Sequence, residues 1–276
     1  MKVVRTTVAR VLGYRNPIAR VLTSVDGGPV RRIVDGRRNI YTGFFCSVKA
    51  DFAQMPWESR KSERTAMMLA EASSRVVSLL AQPHRLELFV KQQKKPLVYF
   101  PDLQLKVHPS FIDDLDRGVP FSVAALARSF DETDDDLRTV IIEMKDDRDR
   151  RQSTKKYKKK LELVGKIYEM LEIDFRIVQR GEELYPFQLR VAASVVSWRQ
   201  TAVTQFDVWA VQRALRPGPQ RATAVVAALG GGPFGWAKLK ALHVRRFLEI
   251  ELDDVITPST RVRLLINNSL RVPIRR

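Results

Sequence analysis

Two short segments show the alternation of apolar and polar positions that is typical of β-strands: YFPDLQL (Tyr99–Leu105) and VIIEMKDD (Val140–Asp147). Successive side chains of a strand point to opposite faces of its sheet, so Glu143 and Lys145 share one face while Met144 turns to the other. We therefore predict two strands, with Met144 in the core and with the acid and the amine emerging together on the opposite face.

The remainder of the chain as far as residue 180 alternates between helical and strand-like patterns. A run of helix formers predicts a helix over Glu58–Ser73, and the lysine-rich segment STKKYKKKLELVGKIYEMLE predicts a basic helix with Tyr157 in its apolar stripe. The segments RLELFVKQ and PLVYFPDLQLKV predict a hairpin that turns around Gln92–Lys95, and DFRIVQR (Asp174–Arg180) predicts a further strand. This order of elements indicates an α/β core built on a mixed sheet.

The character of the sequence differs at its two ends. Residues 1–40 are basic and interrupted by glycine and proline, which predicts an irregular arm with at most one short strand. After Tyr185 the pattern indicates several helices, and then FLEIELDDVITPSTRVRLLI predicts a hairpin with its turn at Thr257–Ser259. We therefore predict a basic arm over residues 1–40, an α/β domain over 41–184 and a helical, winged-helix-like domain over 185–276.

The overall charge indicates a polyanionic partner. The chain has 276 residues with 48 Lys+Arg against 31 Asp+Glu, a net charge of +17. Such an excess favours nucleic acid as the partner, with an anionic membrane surface or a merely basic soluble protein as alternatives. No stretch approaches the ~18–20 apolar residues of a membrane span. The single cysteine, Cys46, excludes an internal disulfide and fits a reducing, cytoplasmic location.

The two predicted strands carry residues suited to metal-dependent hydrolysis. Asp102 follows Pro101, and Glu143 and Lys145 form E-x-K, so the chain reads P-D…E-x-K, the residue order of the PD-(D/E)xK nucleases. If the strands pair, Asp102 lies beside the other two. Two carboxylates can bind Mg²⁺ through oxygen, and a neighbouring ammonium group can orient or activate the attacking water.

A nuclease of this type usually needs a third carboxylate from the first helix, for which Glu58 and Glu63 are the candidates. Neighbours on one helix face recur at i+3, i+4 and i+7. For Glu63 these are Ala66, Met67 and Ala70, all small or apolar, whereas for Glu58 they are polar. We therefore predict that Glu63 points toward the core and is the ligand, with Glu58 as the alternative. Pairing of Glu63 with a nearby arginine would be the purely structural explanation.

Several ordered motifs together resemble the TnsA endonuclease subunit of heteromeric cut-and-paste transposons. They are W-E-S-x-x-x-E-R at Trp57–Arg64, the pair Gln82-Pro83, F-P-D ending at Asp102 and I-I-E-M-K ending at Lys145. The resemblance spans roughly residues 43–180. It implies a restriction-endonuclease-like mixed sheet core and cleavage of the 5′ strands at transposon ends.

The resemblance also implies a site, cofactors and partners. The catalytic residues would be Glu63, Asp102, Glu143 and Lys145. Glu63, Asp102, Glu143 and the backbone carbonyl of Met144 would bind Mg²⁺, with Mn²⁺ as a substitute. A TnsB-like recombinase would process the 3′ ends, and a TnsC-like AAA+ ATPase would regulate both subunits. A bacterial, nucleoid-associated cytoplasmic protein is then expected.

Two features depart from the family pattern and leave rival functions open. An insertion over Ser110–Arg138, with an acidic run at Asp131–Asp136, separates the two motif strands, and residues 185–276 match by architecture alone. The first rival is a stand-alone restriction-type or junction-resolving nuclease. The second is a non-catalytic winged-helix DNA-binding regulator with a degenerate nuclease fold.

Two further groups of polar residues have both a functional and a structural interpretation. The lysine run of the basic helix could follow DNA phosphates, or it could be a solvated helix face. Gln82 could orient a metal-bound water, or it could be a polar cap where a strand begins. The proposed DNA contacts are Lys155, Lys156, Lys158 and Lys159.

Overall fold

The computed structural model describes residues 6–13, 16–31, 33–34, 41–91, 93–129, 134–147 and 154–265. The strands are β1 (Thr6–Leu12), β2 (Ala19–Ser24), β3 (Gly43–Cys46), β4 (Gln54–Trp57), β5 (Val76–Ala81), β6 (His84–Leu88), β7 (Leu97–Tyr99), β8 (Leu103–Val107), β9 (Arg138–Lys145), β10 (Asp174–Gln179), β11 (Gln220–Arg221), β12 (Leu248–Ile250) and β13 (Arg261–Leu264). The helices are α1 (Glu63–Ala72), α2 (Pro109–Asp116), α3 (Phe121–Leu126), α4 (Lys155–Met170), α5 (Arg180–Glu183), α6 (Pro186–Val196), α7 (Gln205–Leu215), α8 (Ala222–Ala228) and α9 (Gly232–Val244). The fold is mixed α/β, as the sequence predicts.

A mixed four-stranded sheet in the order β10-β9-β8-β5 forms the centre of the molecule. Strand β9 runs parallel to β10 and antiparallel to β8, so the predicted pairing of the two motif strands is confirmed. Leu103 pairs with Ile142, which brings Asp102, the residue before β8, opposite Glu143. Strand β9 is buried on both faces from Val140 to Lys145, as a central strand between two helical layers must be.

A second four-stranded sheet, in the order β1-β2-β6-β7, packs with α4 against one side of the central sheet. The predicted hairpin between β6 and β7 is confirmed, although residue 92 in its turn lies outside the described residues. The prediction of an irregular arm over residues 1–40 was wrong for Thr6–Leu12 and Ala19–Ser24, which form the antiparallel pair β1 and β2. On its other side β2 pairs with β6, and this long-range contact leaves no local signal in the sequence.

Helices α1, α3 and α6 cover the other side of the central sheet. The first helix begins at Glu63, so the prediction of a start at Glu58 was wrong. The intervening residues form a turn in which the Ser62 amide donates to the Ser59 hydroxyl at 3.2 Å and the Arg64 amide donates to the Ser59 carbonyl at 3.0 Å. Serine side chains offer the backbone such local partners and thereby favour helix starts over helix interiors.

The insertion between β8 and β9 contains more structure than its sequence suggested. Helix α2 begins with Pro109 and buries Phe111, whose ring meets that of Phe121 on α3 edge to face at 5.8 Å. The short helix α3 follows and buries Phe121 and Leu126. Of the acidic run, Asp131, Glu132 and Thr133 lie outside the described residues, and Asp134 accepts hydrogen bonds from Arg246.

The C-terminal part, residues 205–264, combines the helices α7, α8 and α9 with a small sheet. Strands β12 and β13 pair antiparallel, which confirms the predicted hairpin, and β11 adds to β13 so that the sheet order is β11-β13-β12. Helix α7 begins with a capping box, in which the Thr204 hydroxyl accepts from the Asp207 amide and the Asp207 carboxylate accepts from the Thr204 amide. Along the chain the elements follow the order α7, β11, α8, α9, β12, β13.

The C-terminal part and the central sheet share one hydrophobic core, which extends from Phe45 to Val262. Polar contacts also join them. The carboxylate of Glu249 on β12 is buried and accepts from the Ser129 amide at 2.7 Å, from the Ser74 hydroxyl and from the Arg263 guanidinium at 2.6 Å. None of the helices that the structure describes combines the length and the apolar character needed to cross a membrane.

Glu249→Ala should therefore destabilise the whole molecule. It removes the Glu249 acceptor from the partly buried Arg263 guanidinium and from two buried donors, a change that costs about 3–5 kcal/mol. The matched control is Glu251→Ala, because Glu251 is more exposed and its contact with Arg128 is a long 3.5 Å ion pair, worth about 0–1 kcal/mol. Urea unfolding should show one cooperative transition whose midpoint falls only in the first variant. Two separate transitions would contradict the shared core.

Candidate functional site

The pairing of β8 with β9 places the first two predicted site residues next to each other. Asp102 lies at the start of β8, and its Oδ2 accepts a hydrogen bond from the Met144 amide at 2.7 Å. This contact holds the aspartate against the strand that carries Glu143 and Lys145. The site thus lies at the end of the β8–β9 ladder, where the chain enters one strand and leaves the other.

Both carboxylate oxygens of Glu143 have partners. Its Oε2 accepts from the Tyr99 hydroxyl at 2.5 Å, and its Oε1 accepts from the Tyr157 hydroxyl at 2.9 Å and from the Lys145 ammonium group. Glu143 and Lys145 share a strand face, as the alternation predicts, and both are 5% exposed. An acid and an amine in contact at such low exposure form a buried, strongly interacting ion pair.

Glu63 joins this group from the first turn of α1. It is buried, and its Oε2 accepts from the Glu58 amide at 2.9 Å. The Glu58 side chain points outward, is 43% exposed and forms an ion pair with Arg31 at 3.1 Å. Of the two candidates from the first helix region, Glu63 is therefore the one on the core side, although its role as a metal ligand stays a prediction.

The three carboxylates lie within each other's electrostatic field. Burial raises the pKa of Asp102 well above its ordinary value, and repulsion from Glu143 and Glu63 raises it further. Burial, together with repulsion from Glu58 and Glu143, raises the pKa of Glu63 to about 7 against the opposing hydrogen bond from the Glu58 amide. A concentration of buried negative charge of this kind is typical of functional sites, because a fold gains nothing from it by itself.

Lys145 is the cation within this group. Burial alone would lower the pKa of its ammonium group, but attraction to Glu143 outweighs burial and raises the pKa. The lysine therefore stays charged at neutral pH and partly offsets the acids. Its positive charge offsets the three carboxylates only in part, so burial and mutual repulsion keep the pKa values of Asp102 and Glu63 elevated.

The donor set is chemically suited to a hard divalent cation, since carboxylate and carbonyl oxygens are the ligands that Mg²⁺ takes. Among the described residues, however, no three His, Cys, Asp or Glu side chains already lie in an arrangement that would hold a metal ion. Hydrogen bonds from the tyrosines and Lys145 occupy Glu143, and the Met144 amide occupies one oxygen of Asp102. Metal binding would require these carboxylates to turn from their present partners.

Two tyrosines that sequence reasoning did not assign to the site belong to it. Tyr99 lies on β7, and the burial of its ring, together with the nearby Glu143, raises its pKa well above the ordinary value. Tyr157 lies in the first turn of α4, and burial and Glu143 raise its pKa to about 12. Both phenols therefore remain protonated donors at neutral pH. The period of α4 indicated only that Tyr157 faces inward, not that its hydroxyl reaches Glu143.

Gln82 lies in the turn that leads from β5 to β6, two residues before β6 begins. Its backbone adopts the left-handed conformation, with φ of 47°, and its backbone N–H donates to the Asp102 carbonyl at 2.9 Å. Its side-chain Oε1 accepts from the Arg31 guanidinium at 3.2 Å. Gln82 therefore supports the backbone at Asp102 and holds Arg31, and a contact of its side chain with a metal-bound water stays a prediction.

The lysines of the predicted DNA contact project from the first turns of α4. Lys155, Lys156, Lys158 and Lys159 are all exposed, on the turns around the half-buried Tyr157. Lys159 pairs with Glu162 at 3.0 Å, an exposed contact that contributes little to stability. The positive helix surface and the buried carboxylates are thus adjoining parts of one region.

Comparison with known proteins assigns no function to this site. No model of a known protein family matches the chain, and no curated protein matches it.

The elevated pKa of Glu63 predicts a specific dependence of stability on pH. Between pH 4.5 and about 7 the unfolded chain ionises Glu63 while the folded protein retains its proton, so stability falls across this window and the full penalty persists above it. Glu63→Gln removes the buried charge and should stabilise the metal-free protein by about 2 kcal/mol at pH 8 and by much less at pH 5.

The matched control is Glu58→Gln, because Glu58 is exposed. It should change the unfolding free energy little at either pH. Urea unfolding of the three proteins at both pH values is the measurement. A gain for Glu63→Gln that is equal at pH 5 and pH 8 would contradict an elevated pKa of Glu63.

Proposed function

We propose that the chain is a metal-dependent DNA endonuclease of the PD-(D/E)xK type that resembles the TnsA subunit of cut-and-paste transposases. The observation that carries the proposal is the pairing of β8 with β9, which places Asp102 beside Glu143 and Lys145 with Glu63 in the same buried group. Three mutually repelling carboxylates beside one lysine have no use in a passive fold, whereas metal-dependent phosphodiester hydrolysis needs this set.

The residues that would hold Mg²⁺, or Mn²⁺ as a substitute, are Glu63, Asp102, Glu143 and the backbone carbonyl of Met144. When bound, the ion would supply Lewis-acid stabilisation of the phosphate and a more acidic water. The chain supplies the remainder. Lys145 stays charged beside Glu143 and orients the attacking water, and the buried position of the carboxylates keeps bulk solvent away from the reacting phosphate.

DNA as the substrate is supported by charge and by position. The chain has a net charge of +17, and the exposed lysines of α4 flank the site. Contacts of this kind reach phosphates and carry no base specificity, so they would hold a duplex near the carboxylates without selecting a sequence. A nucleoid-associated, cytoplasmic protein is part of the same proposal.

The element order α7, β11, α8, α9, β12, β13 with the sheet order β11-β13-β12 supports a winged-helix-like unit in the C-terminal part. In that architecture α9 would be the helix that enters a DNA groove. Here α9 buries Leu239, Leu242 and His243 against the remainder of the protein, and its two lysines, Lys238 and Lys240, are half-buried. Little of this helix beyond its exposed first turn is therefore available to a DNA groove, which argues against the non-catalytic winged-helix regulator.

Dependence on partners follows from the family resemblance. A TnsB-like recombinase and a TnsC-like ATPase would direct the nuclease to transposon ends, where it would cut the 5′ strands. Both carboxylate oxygens of Glu143 already accept hydrogen bonds, so the site must rearrange before it can hold a metal. A requirement for partner proteins agrees with this. The rival, a restriction-type or junction-resolving nuclease acting alone, would use the same residues without such help.

The catalytic assignment predicts that Asp102→Ala and Lys145→Ala each abolish strand cleavage, by about 10³-fold or more, as the loss of a group that stabilises the transition state does. DNA affinity should change little, because the exposed lysines remain. Lys106→Ala, on the exposed face of β8, is the control and should cleave normally. Nicking of end-containing plasmid in Mg²⁺ with the partner recombinase present measures cleavage, and unchanged nicking by both site variants would mean that the chemistry lies elsewhere.

The partner hypothesis predicts little nicking of end-containing plasmid by the isolated protein and salt-sensitive DNA binding. Addition of the partner recombinase should produce cuts that map to the 5′ strands at the element's ends. Sequence-specific double-strand cutting by the lone protein would instead support the restriction-type nuclease. Absence of cleavage under every combination would support the regulator.

A further inference from the structure

Tyr157 makes contacts that an apolar position in a helix does not require. Its hydroxyl lies 2.9 Å from Glu143 Oε1 and is hydrogen-bonded to the Lys145 ammonium group, which also lies 4.6 Å from the centre of the Tyr157 ring. The phenol thus donates to the acid and accepts from the amine at the same time. It bridges the two motif residues whose side chains emerge on the same face of β9.

The position of Tyr157 is set by α4 and not by the sheet. Thr154 caps the helix, and its hydroxyl accepts from the Tyr157 amide at 3.3 Å, so the first turn holds the tyrosine at a defined place. The neighbouring residues of the turn, Lys156 and Lys158, are exposed. One turn of helix therefore carries both the bridge to the buried site and the lysines that face outward.

A lysine amine has three donors on a flexible four-carbon stem, and beside a carboxylate it can adopt several geometries. Two partners that are fixed on different elements, Glu143 on β9 and Tyr157 on α4, restrict it to one. Without the hydroxyl, Lys145 would keep its ion pair with Glu143, but the direction of its other N–H bonds would no longer be fixed.

We propose that Tyr157 is a positioning residue that fixes Lys145 and Glu143 relative to each other and connects the basic helix α4 to the site. The proposal rests on the proposed nuclease function for its catalytic consequence, but the positioning itself is a property of the folded chain. Tyr157 acts through Lys145 and Glu143.

The test is Tyr157→Phe, which keeps the ring and removes the hydroxyl. Tyr168→Phe is the matched control, because Tyr168 lies on the same helix, is buried, and its hydroxyl bonds to His84 at 2.7 Å. The first readout is the rate at which acetic anhydride labels Lys145 in the full-length protein, followed by mass spectrometry. Lys49 is the internal standard, since the backbone carbonyls of Ala70 and Val76 hold it near the end of α1 that is opposite to Glu63.

Labelling of Lys145 should rise about twofold to tenfold in Tyr157→Phe, the range expected for one lost hydrogen bond, and should stay unchanged in Tyr168→Phe. Labelling of Lys49 should be equal in all three proteins. The second readout is nicking activity. There, kcat should fall by about 10- to 100-fold in Tyr157→Phe with KM for DNA unchanged, as is found when a residue that orients a functional group is removed.

The outcomes separate the two proposals. Lys145 could be labelled faster in Tyr157→Phe while the protein without substitutions, even with its partners, cleaves no DNA. This result would uphold the positioning role and refute the nuclease. Unchanged labelling in Tyr157→Phe would overturn the positioning role, whether or not the protein cleaves DNA. Equal effects of both tyrosine variants on labelling would also overturn it, because a general loosening of α4 would then explain the data.

Discussion

The antiparallel register of β8 against β9 is the constraint from which the arrangement of the site follows. Leu103 opposite Ile142 means that Asp102 can stand only beside Glu143 and that its carboxylate meets the Met144 amide. A shift of one residue would turn Glu143 and Lys145 to the other side of the sheet and separate them from Asp102. The parallel strand β10 on the far side of β9 and the antiparallel strand β5 beyond β8 hold this register from both directions.

Next to these paired strands the protein holds a cluster of ionisable side chains that selection for stability alone would not keep. Glu63, Asp102 and Glu143 repel one another in surroundings that are poor in water, and Lys145 with the two phenols only partly compensates. Ile141, Ile142 and Leu105 on the neighbouring parts of β9 and β8 are apolar and fully buried, so this group of carboxylates lies at one end of the two strands. Such local conflict within a consistent fold is characteristic of sites that are kept for chemistry.

The sequence was informative where the decisive interaction is local. Alternation along Val140–Lys145 placed Glu143 and Lys145 on one face, and helical spacing from Glu63 separated it from the outward-facing Glu58. Strands β1 and β2 were missed because glycine and proline dominate the local pattern of residues 1–40, and because β2 pairs on its other side with β6, which lies far along the chain. Tyr157 was read as apolar for a related reason. A helical period gives the direction of a side chain but not the atom that it meets.

The helix that carries Glu63 has a mechanical consequence. Ten residues of α helix form a stiff rod about 15 Å long, with Glu63 at one end and Glu71 near the other, where Glu71 is tied to the Ser47 hydroxyl and the Val48 amide. The side of the rod rests on α6 and α9. Because α1 has no break between Glu63 and Glu71, any displacement of α6 or α9 that moved this helix would also move the Glu63 carboxylate.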